Sequence, residues 1–289
     1  MNNNNNKDKI IRVDVGDSVD KFSRNNRISA ITKILLDNPN KVINLNHFTE
    51  MLNAAKSTIS EDIVIIKKAF NTLDVGRVDT IAGASGGVKY VVGVSEEESR
   101  KFANELCEAM SDKNRIIPGN FIYMTDIMYD PEVVHKAGTI LASRFIESGA
   151  DYVVTVETKG IPLAYEVAKN LGIQLIIVRR DSKVTEGPTV TINYVSGSSG
   201  RIQNMSLAKR LLKKNSKCIF IDDFMKAGGT ALGILDLLKE FESDLIGTGV
   251  LIDNVESQKK LVTDYISIIS YYGIDKDGSV KFQPSKLYK

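Results

Sequence analysis

Two stretches of this chain combine glycines, hydroxyls and charges in an order that suits phosphate binding. In the first, IFIDDFMKAGGT, an apolar run ends in two aspartates and a glycine loop follows it. Carboxylates at a strand end can accept hydrogen bonds from two vicinal ribose hydroxyls, and a glycine loop that opens a helix presents backbone N–H groups to a phosphate. The stretch therefore predicts a site for a phosphorylated sugar. Its residues are Asp222, Asp223, Phe224, Met225, Lys226, Ala227, Gly228, Gly229 and Thr230.

The second stretch, VETKGIP at residues 156–162, joins a predicted strand to a helix with Pro162 in its first turn. Thr158, Lys159 and Gly160 offer a hydroxyl, an ammonium group and an unobstructed N–H, which together suit a pyrophosphate. The spacings of a Walker loop and of a dinucleotide fingerprint are absent. The alternative for the glycine loop alone is a helix cap with structural glycines.

Alternating apolar strands and amphipathic helices must position these loops. Strands are predicted near residues 152–156, 174–178, 218–222 and 246–252, with helices between them. This alternation indicates an α/β domain over residues 96–289, with a parallel sheet covered on both faces. Ligands of such sheets bind beyond the carboxyl ends of the strands, where both loops are predicted to lie.

A smaller domain is predicted over residues 22–95. Ile59, Ile63, Ile66 and Phe70 fall on one stripe of a third helix, after two shorter helices, and TISE at 58–61 has the pattern of a capping box. In the second helix Asn46 is the predicted cap. Two β-rich runs joined by the glycine-rich GASGG then predict a hairpin. Three helices followed by a hairpin are the order of a winged helix-turn-helix.

In that module the third helix enters the major groove of DNA while contacts to phosphates position it. The predicted DNA-binding residues are Arg24, Arg27, Lys56, Ser57, Thr58, Ser60 and Lys89. Glu61 and Asp62 in the same helix oppose this interpretation, because phosphates repel carboxylates. The alternative is a small helical cap with solvated surface charges.

Composition excludes several classes of site. The 289 residues include two cysteines, far apart, and two histidines, so neither a disulfide framework, a thiolate or zinc site nor a histidine-dependent triad is indicated. No catalytic or metal-binding residue is predicted. The net charge of +2 is divided into +3 over residues 1–95 and −1 over the rest. Residues 1–21 are expected to form a disordered tail, and the absence of a signal peptide or apolar span predicts a cytoplasmic protein.

The motif IFIDDFMKAGGT resembles the phosphoribosyl-pyrophosphate (PRPP) motif of type I phosphoribosyltransferases, and VETKG is similar to their pyrophosphate loop. Together with AKSTISEDI, GGVKY and INYVSGSSGRIQNMSLAKR, the chain from about residue 22 resembles the purine operon repressors of Gram-positive bacteria. The resemblance implies a homodimer that binds operator DNA of purine biosynthesis and transport genes. It implies PRPP, with or without Mg²⁺, as the effector that weakens DNA binding, and the alarmone ppGpp as a competing purine nucleotide.

A transferase of this type needs a closing loop and a hood that grips the base. Residues 179–208 occupy the position of the loop, with basic residues at both ends, and no segment between 96 and 150 is typical of a hood. The sequence therefore favours a sensor without catalysis. The alternatives are an active purine phosphoribosyltransferase with a DNA-binding extension, and an interaction protein without a ligand.

Overall fold

The computed structural model describes residues 21–83, 86–119, 121–181, 185, 187–196, 201–256, 259–275 and 278–288. The tail predicted over residues 1–21 lies, apart from Lys21, outside these residues. The described residues form two compact units. The N-terminal unit comprises the residues up to Leu73 together with Arg77–Tyr90, and the C-terminal unit comprises Asp74–Gly76 and the residues from Val91 onward.

The N-terminal unit consists of three helices followed by a two-stranded sheet. Its elements are α1 (Arg24–Asp37), α2 (Leu45–Leu52), α3 (Lys56–Leu73), β1 (Arg77–Ile81) and β2 (Gly87–Val91). An antiparallel bridge between Ile43 and Val88 adds a second, short pairing to this sheet. All four residues of the predicted α3 stripe are buried. The order and the core confirm the winged helix-turn-helix.

The predicted starts of two of these helices were wrong. The cap of α2 is Asn44, whose side chain accepts a hydrogen bond from the Asn46 N–H. Helix α3 already begins at Lys56, so TISE lies inside the helix and is not a capping box. The Ser60 hydroxyl instead donates to the Lys56 carbonyl at 2.9 Å, as serines inside helices often do one turn back.

The C-terminal unit contains a mostly parallel six-stranded sheet in the order β12-β11-β10-β9-β5-β6, in which only β11 and β12 pair antiparallel. This architecture confirms the predicted α/β class. Its elements in chain order are α4 (Glu96–Met110), β3 (Ile116–Ile117), β4 (Phe121–Ile122), α5 (Thr125–Met128), α6 (Pro131–Phe145), β5 (Tyr152–Val156), α7 (Ile161–Leu171), β6 (Gln174–Val178), β7 (Thr189–Val195), β8 (Ile202–Ala208), β9 (Lys217–Met225), α8 (Gly229–Lys239), β10 (Asp244–Asn254), β11 (Ile266–Ile274) and β12 (Val280–Pro284). Residues 113–115 and 286–288 form single 3-10 turns.

Alternate side chains of each strand point to opposite faces of the sheet, and both faces are covered by other elements. On one face Val154 and Phe220 join a core with Ile234 and Leu237 of α8. On the other face α6 lies so close to β10 that a Cβ on Gly249 would approach Ile221, Phe145 and Leu141 to between 3.0 and 3.4 Å. The sheet that carries the two predicted loops is therefore packed on both faces.

The segment predicted as a long loop, residues 179–208, contains the antiparallel hairpin β7–β8. Its apolar side chains Tyr194, Met205 and Leu207 are buried in the core beneath α8. A Cβ on Gly233 would lie 3.0 Å from the Tyr194 ring, so α8 and the hairpin pack in close contact. Residues 182–184, 186 and 197–200 of this segment lie outside the described residues.

Both cysteines of the chain are buried as free thiols. Burial raises the pKa of Cys107 to about 12, with a further contribution from the Glu108 carboxylate. Burial likewise raises the pKa of Cys218 to about 12, and Asp151 and Asp244 add to this shift. Among the described residues, no helix has both the length and the apolar character that a membrane crossing requires.

Candidate functional site

The two predicted loops meet at one edge of the sheet. Strands β5 and β9 are parallel neighbours, with Val154 paired to Phe220, so their carboxyl ends lie side by side. Gly160 is buried at this junction, where a Cβ would lie 2.9 Å from both Asp222 Oδ1 and Thr155 Oγ1. Any side chain at position 160 would therefore displace the carboxyl group of Asp222.

A cavity of about 720 Å³ opens at this edge. From the VETKGIP loop Glu157, Thr158 and Lys159 line it, whereas Gly160 lies beneath them. All nine residues predicted in the glycine loop, Asp222 to Thr230, line the same cavity. The structure thus brings eleven of the twelve predicted effector-binding residues to one surface, and the twelfth supports it.

The acidic pair lies inside β9, because that strand continues to Met225 rather than ending near residue 222. The Asp223 N–H donates to Asp222 Oδ1 at 2.9 Å. The pKa of Asp222 is raised well above its usual range, first by burial and then by the neighbouring Asp223 carboxylate. A ligand that brings hydrogen-bond donors or positive charge to this carboxylate would relieve the unfavourable interaction.

The glycines between β9 and α8 give the loop its shape. Gly228 has a φ of +86°, and a Cβ there would lie 3.1 Å from the backbone nitrogen of Val262. Gly229 begins α8. The first-turn N–H groups of a helix have no partner within the helix, so this end of α8 can donate to an anion. The exposed Lys226 adds a positive charge.

An apolar wall of this cavity was not predicted. Gly119, Phe121, Ile122 and Met124, on and beside the hairpin β3–β4, line it, so residues 96–150 do not consist of helices alone. The expectation that this region holds no hood stays a prediction. Arg115 fixes this hairpin, donating to both carboxylate oxygens of Asp126 at 2.8 Å and to the Ala109 carbonyl at 2.7 Å. Two-residue strands are too short to show a period of two, and only the turn residues of IIPGNFI signalled them.

Further lining residues come from elements after the VETKGIP loop. Glu157 accepts hydrogen bonds from the Arg179 side chain at 3.2 Å and from the Arg180 backbone at 2.7 Å. These bonds hold the start of the β7–β8 segment against the VETKGIP loop. Arg180 and Tyr194 line the cavity there, and at the ends of β10 and β11 so do Asn254, Glu256, Tyr271 and Ile274.

In the N-terminal unit, Arg27 does not belong to an exposed DNA-binding surface as predicted. It is 8% exposed, and its guanidinium donates to Asp62 at 2.7 and 3.3 Å. Asp62 is 1% exposed, so one of the two carboxylates that opposed the DNA interpretation faces the interior of the unit, whereas Glu61 is exposed. Arg27 therefore cannot turn to a DNA phosphate without depriving the buried Asp62 carboxylate of its hydrogen-bond donor.

The other predicted DNA-binding residues lie nearer the surface. Lys56, Ser57 and Ser60 are exposed at the start of α3, and Thr58 is half-buried among them. Arg24 is largely exposed at the start of α1, 3.5 Å from Asp62, and Lys89 is half-buried on β2. Their contact with DNA stays a prediction.

The described residues contain no group of three or more His, Cys, Asp or Glu side chains that could hold a metal ion. Mg²⁺ usually keeps several waters and one or two carboxylates beside the phosphates of its ligand. Glu157, Asp222 and Asp223 line the cavity and could supply such carboxylates.

A winged helix-turn-helix joined to a phosphoribosyltransferase-type domain defines the class of this protein. The family model for the N-terminal domain of the bacterial purine repressor matches residues 23–92, and that for the phosphoribosyl transferase domain matches residues 125–282. The fold is similar to that of APRTase from Giardia lamblia in complex with 9-deazaadenine, with a TM-score of 0.51 and 18% identity over 62% of this chain and 99% of that one.

Two relatives cover nearly the whole chain. It is 46% identical to the purine biosynthesis transcriptional repressor PurR of Bacillus subtilis, over 91% of this chain and 93% of the relative. It is 42% identical to the purine biosynthesis transcriptional activator PurR of Lactococcus lactis subsp. lactis, over 88% and 94%. The chain belongs to the PurR family of bacterial purine repressors.

Proposed function

We propose that this protein is a transcriptional repressor of purine biosynthesis and transport genes, released from operator DNA by PRPP bound in the cavity. The observation that carries the proposal is the junction of the two loops, where Gly160 lies against Asp222. A phosphate-binding loop and a pyrophosphate-binding loop at one sheet edge suit a ligand that carries both groups. The relative in Bacillus subtilis is named a repressor, which supports the sign of the regulation.

PRPP fits the cavity by its chemistry. The backbone of Ala227–Thr230 and the start of α8 would hold the 5′-phosphate, and Asp222 and Asp223 the ribose hydroxyls. Thr158 and Lys159 would hold the pyrophosphate, with or without Mg²⁺ at its oxygens. The volume of about 720 Å³ lies within the usual range for small-molecule sites.

DNA binding is assigned to the N-terminal unit. The start of α3 presents Lys56 and Ser57, exposed, next to first-turn N–H groups, which suits contacts to phosphates. A homodimer would place two such helices on the two halves of a symmetric operator. Binding to chromosomal operators would place the protein in the cytoplasm.

Coupling between the ligands follows from charge. PRPP would bring several negative charges to Lys159, Arg180 and Lys226, which line the cavity and which DNA phosphates would also attract. Ligands that compete for basic side chains lower each other's affinity by the same factor, typically about 5- to 150-fold. The alternative is a ligand site that does not communicate with DNA binding at all.

The apolar wall around Phe121 and Ile122 supports two further possibilities for the same cavity. It suits a purine base, so a nucleotide such as ppGpp can be proposed as a competitor of PRPP. It also favours a second candidate function, because a purine phosphoribosyltransferase needs the same wall to hold its base. The two candidates differ in whether pyrophosphate is released from PRPP.

One set of measurements separates these candidates. DNA from upstream of purine genes is titrated with the protein, with and without PRPP and ppGpp, and pyrophosphate is assayed with PRPP and each free purine base. We expect PRPP to weaken DNA binding, ppGpp to reverse that effect, and no pyrophosphate to form. Pyrophosphate release with any base would establish the enzyme instead. A reporter gene behind the same DNA separates a repressor from an activator, the name that the Lactococcus lactis relative carries.

A further inference from the structure

Three successive backbone carbonyl groups at the start of the glycine loop, those of residues 225–227, accept hydrogen bonds from one side. Lys260 Nζ donates to the carbonyl oxygens of Met225 at 3.1 Å and Lys226 at 2.6 Å. The backbone N–H of Leu261 donates to the carbonyl of Ala227 at 2.8 Å. Lys260 and Leu261 are not among the residues that line the cavity, so these carbonyls point to the opposite side of the loop.

This arrangement determines the direction of the intervening N–H groups. In a trans peptide the N–H points opposite to the carbonyl of the same peptide unit, and the peptide bonds between Met225 and Gly228 are trans. The N–H groups of Lys226, Ala227 and Gly228 are therefore directed away from Lys260 and Leu261, to the side where these residues line the cavity. A run of N–H groups on one side of a loop forms an anion-binding concavity.

Lys260 is itself held by the sheet. Its Nζ lies 2.6 Å from Oδ1 of Asp253, the penultimate residue of β10, and both side chains are only about 15% exposed. The Tyr265 hydroxyl donates to the same oxygen at 2.9 Å, and the Lys260 ammonium lies 5.7 Å from the Tyr265 ring centroid. Because Asp253 neutralises its charge, Lys260 contributes orientation more than attraction for a phosphate.

We infer that Lys260 is a positioning residue of the effector site, which holds the carbonyls of Met225 and Lys226 outward so that the loop presents its N–H groups to the 5′-phosphate. This inference rests on the proposed function, since that function places the 5′-phosphate in this loop. It assigns a role to a residue that does not touch the ligand and that lies about 30 positions after the motif.

The test uses Lys260→Met in the full chain, with Lys259→Met as the matched control, because Lys259 is exposed and carries the same charge. Calorimetric titrations with PRPP, ribose 5-phosphate and pyrophosphate compare the two loops within one protein. We expect Lys260→Met to lower the affinities for PRPP and ribose 5-phosphate about tenfold, as the loss of several hydrogen bonds would. Pyrophosphate, which binds the other loop, should change by less than about twofold.

The selectivity of the loss distinguishes positioning from general destabilisation. Lys260→Arg, which keeps a cationic donor, should recover most of the affinity for PRPP and ribose 5-phosphate. Lys260→Gln, with a shorter neutral donor, should have an affinity between those of Lys260→Arg and Lys260→Met. These two variants test the inference even if Lys260→Met does not fold. Equal losses for all three ligands, no loss at all, or the same loss in Lys259→Met would overturn the inference. If the parent chain binds pyrophosphate and ribose 5-phosphate but the variants do not differ, the proposed function survives and only this inference fails. A parent chain that binds none of the three contradicts both.

Discussion

Two aspartates of this chain, one in each unit, differ in the group that lies beside the carboxylate. Asp62, in the N-terminal unit, is 1% exposed and forms hydrogen bonds with the Arg27 guanidinium. Asp222, in the C-terminal unit, is half-buried beside a second carboxylate, and its pKa is raised by burial and by that neighbour. A buried carboxylate that the fold pairs with a cation makes the fold sensitive to loss of that cation. A carboxylate that the fold places beside a second carboxylate lowers stability and favours the binding of a ligand.

The largest expected effect is on the paired aspartate. Arg27→Met should destabilise the N-terminal unit by about 3–5 kcal/mol, because Asp62 would remain buried without its partner. Urea unfolding followed by circular dichroism, with hydrogen exchange in α1 and α3, measures the loss. Arg24→Met is the matched control, since Arg24 is largely exposed and its ion pair with Asp62 should contribute at most about 1 kcal/mol. Equal stability of Arg27→Met and the parent would show that Asp62 does not depend on Arg27.

The second prediction concerns Asp222, the aspartate beside a second carboxylate. Asp222→Asn should lower PRPP affinity about 100-fold, because the ribose hydroxyls lose a charged acceptor. DNA binding should persist without PRPP and no longer respond to it. Calorimetry and DNA titration measure the two effects, and an unaltered PRPP affinity would show that the pocket is wrongly assigned.

The same variant should be more stable than the parent near neutral pH. A raised pKa in the folded state means that stability is fully present below the ordinary value of 3.8 and is lost as the pH rises toward the folded value. Asparagine carries no such loss, so thermal unfolding of Asp222→Asn should depend less on pH above about 4. At neutral pH its Tm should be higher by about 2–4 °C. Parallel pH profiles of the two proteins would contradict the contribution from burial.

The smallest expected effect concerns an exposed charge, which should act through DNA phosphates rather than through stability. Lys56→Ala should weaken binding to operator and to unrelated DNA by similar factors and reduce the slope of log affinity against log salt by about 1. Lys33→Ala, on the exposed face of α1, is the control with the same change of charge. A parent affinity that does not vary with salt would refute the assignment of phosphate contacts.

Local patterns predicted most of the fold, and the exceptions have physical causes. The stripe of α3 and the strands β5 and β6 were visible because each pattern lies within one element. Arg27 was predicted as exposed although it lies four residues before Ile31 and eight before Leu35, on the buried face of α1. The position of Arg27 along the helix, rather than its charge, determines its burial. A buried arginine needs a partner, and Asp62, between Ile59 and Ile63, was the available one.

Other features depend on contacts between distant residues. The alternation of Val190, Ile192 and Tyr194 in β7 was present, but the surrounding serines and glycines favoured a loop. The site loops themselves were predicted because their glycines and acids are contiguous. Lys260 could not be predicted, since its partners Met225 and Lys226 are 35 and 34 residues away and no local pattern links them.

The burial of Cys107 and Cys218 has a practical consequence for following the protein in solution. With a pKa of about 12, neither thiol forms an appreciable thiolate at neutral pH, and neither is accessible. Maleimide reagents should therefore leave the native chain unlabelled. Cysteines introduced at the exposed positions Glu61 and Lys259 would be the reactive ones. A donor and an acceptor dye at those positions could report by fluorescence transfer how the distance between the two units responds to PRPP, with no native cysteine to remove first.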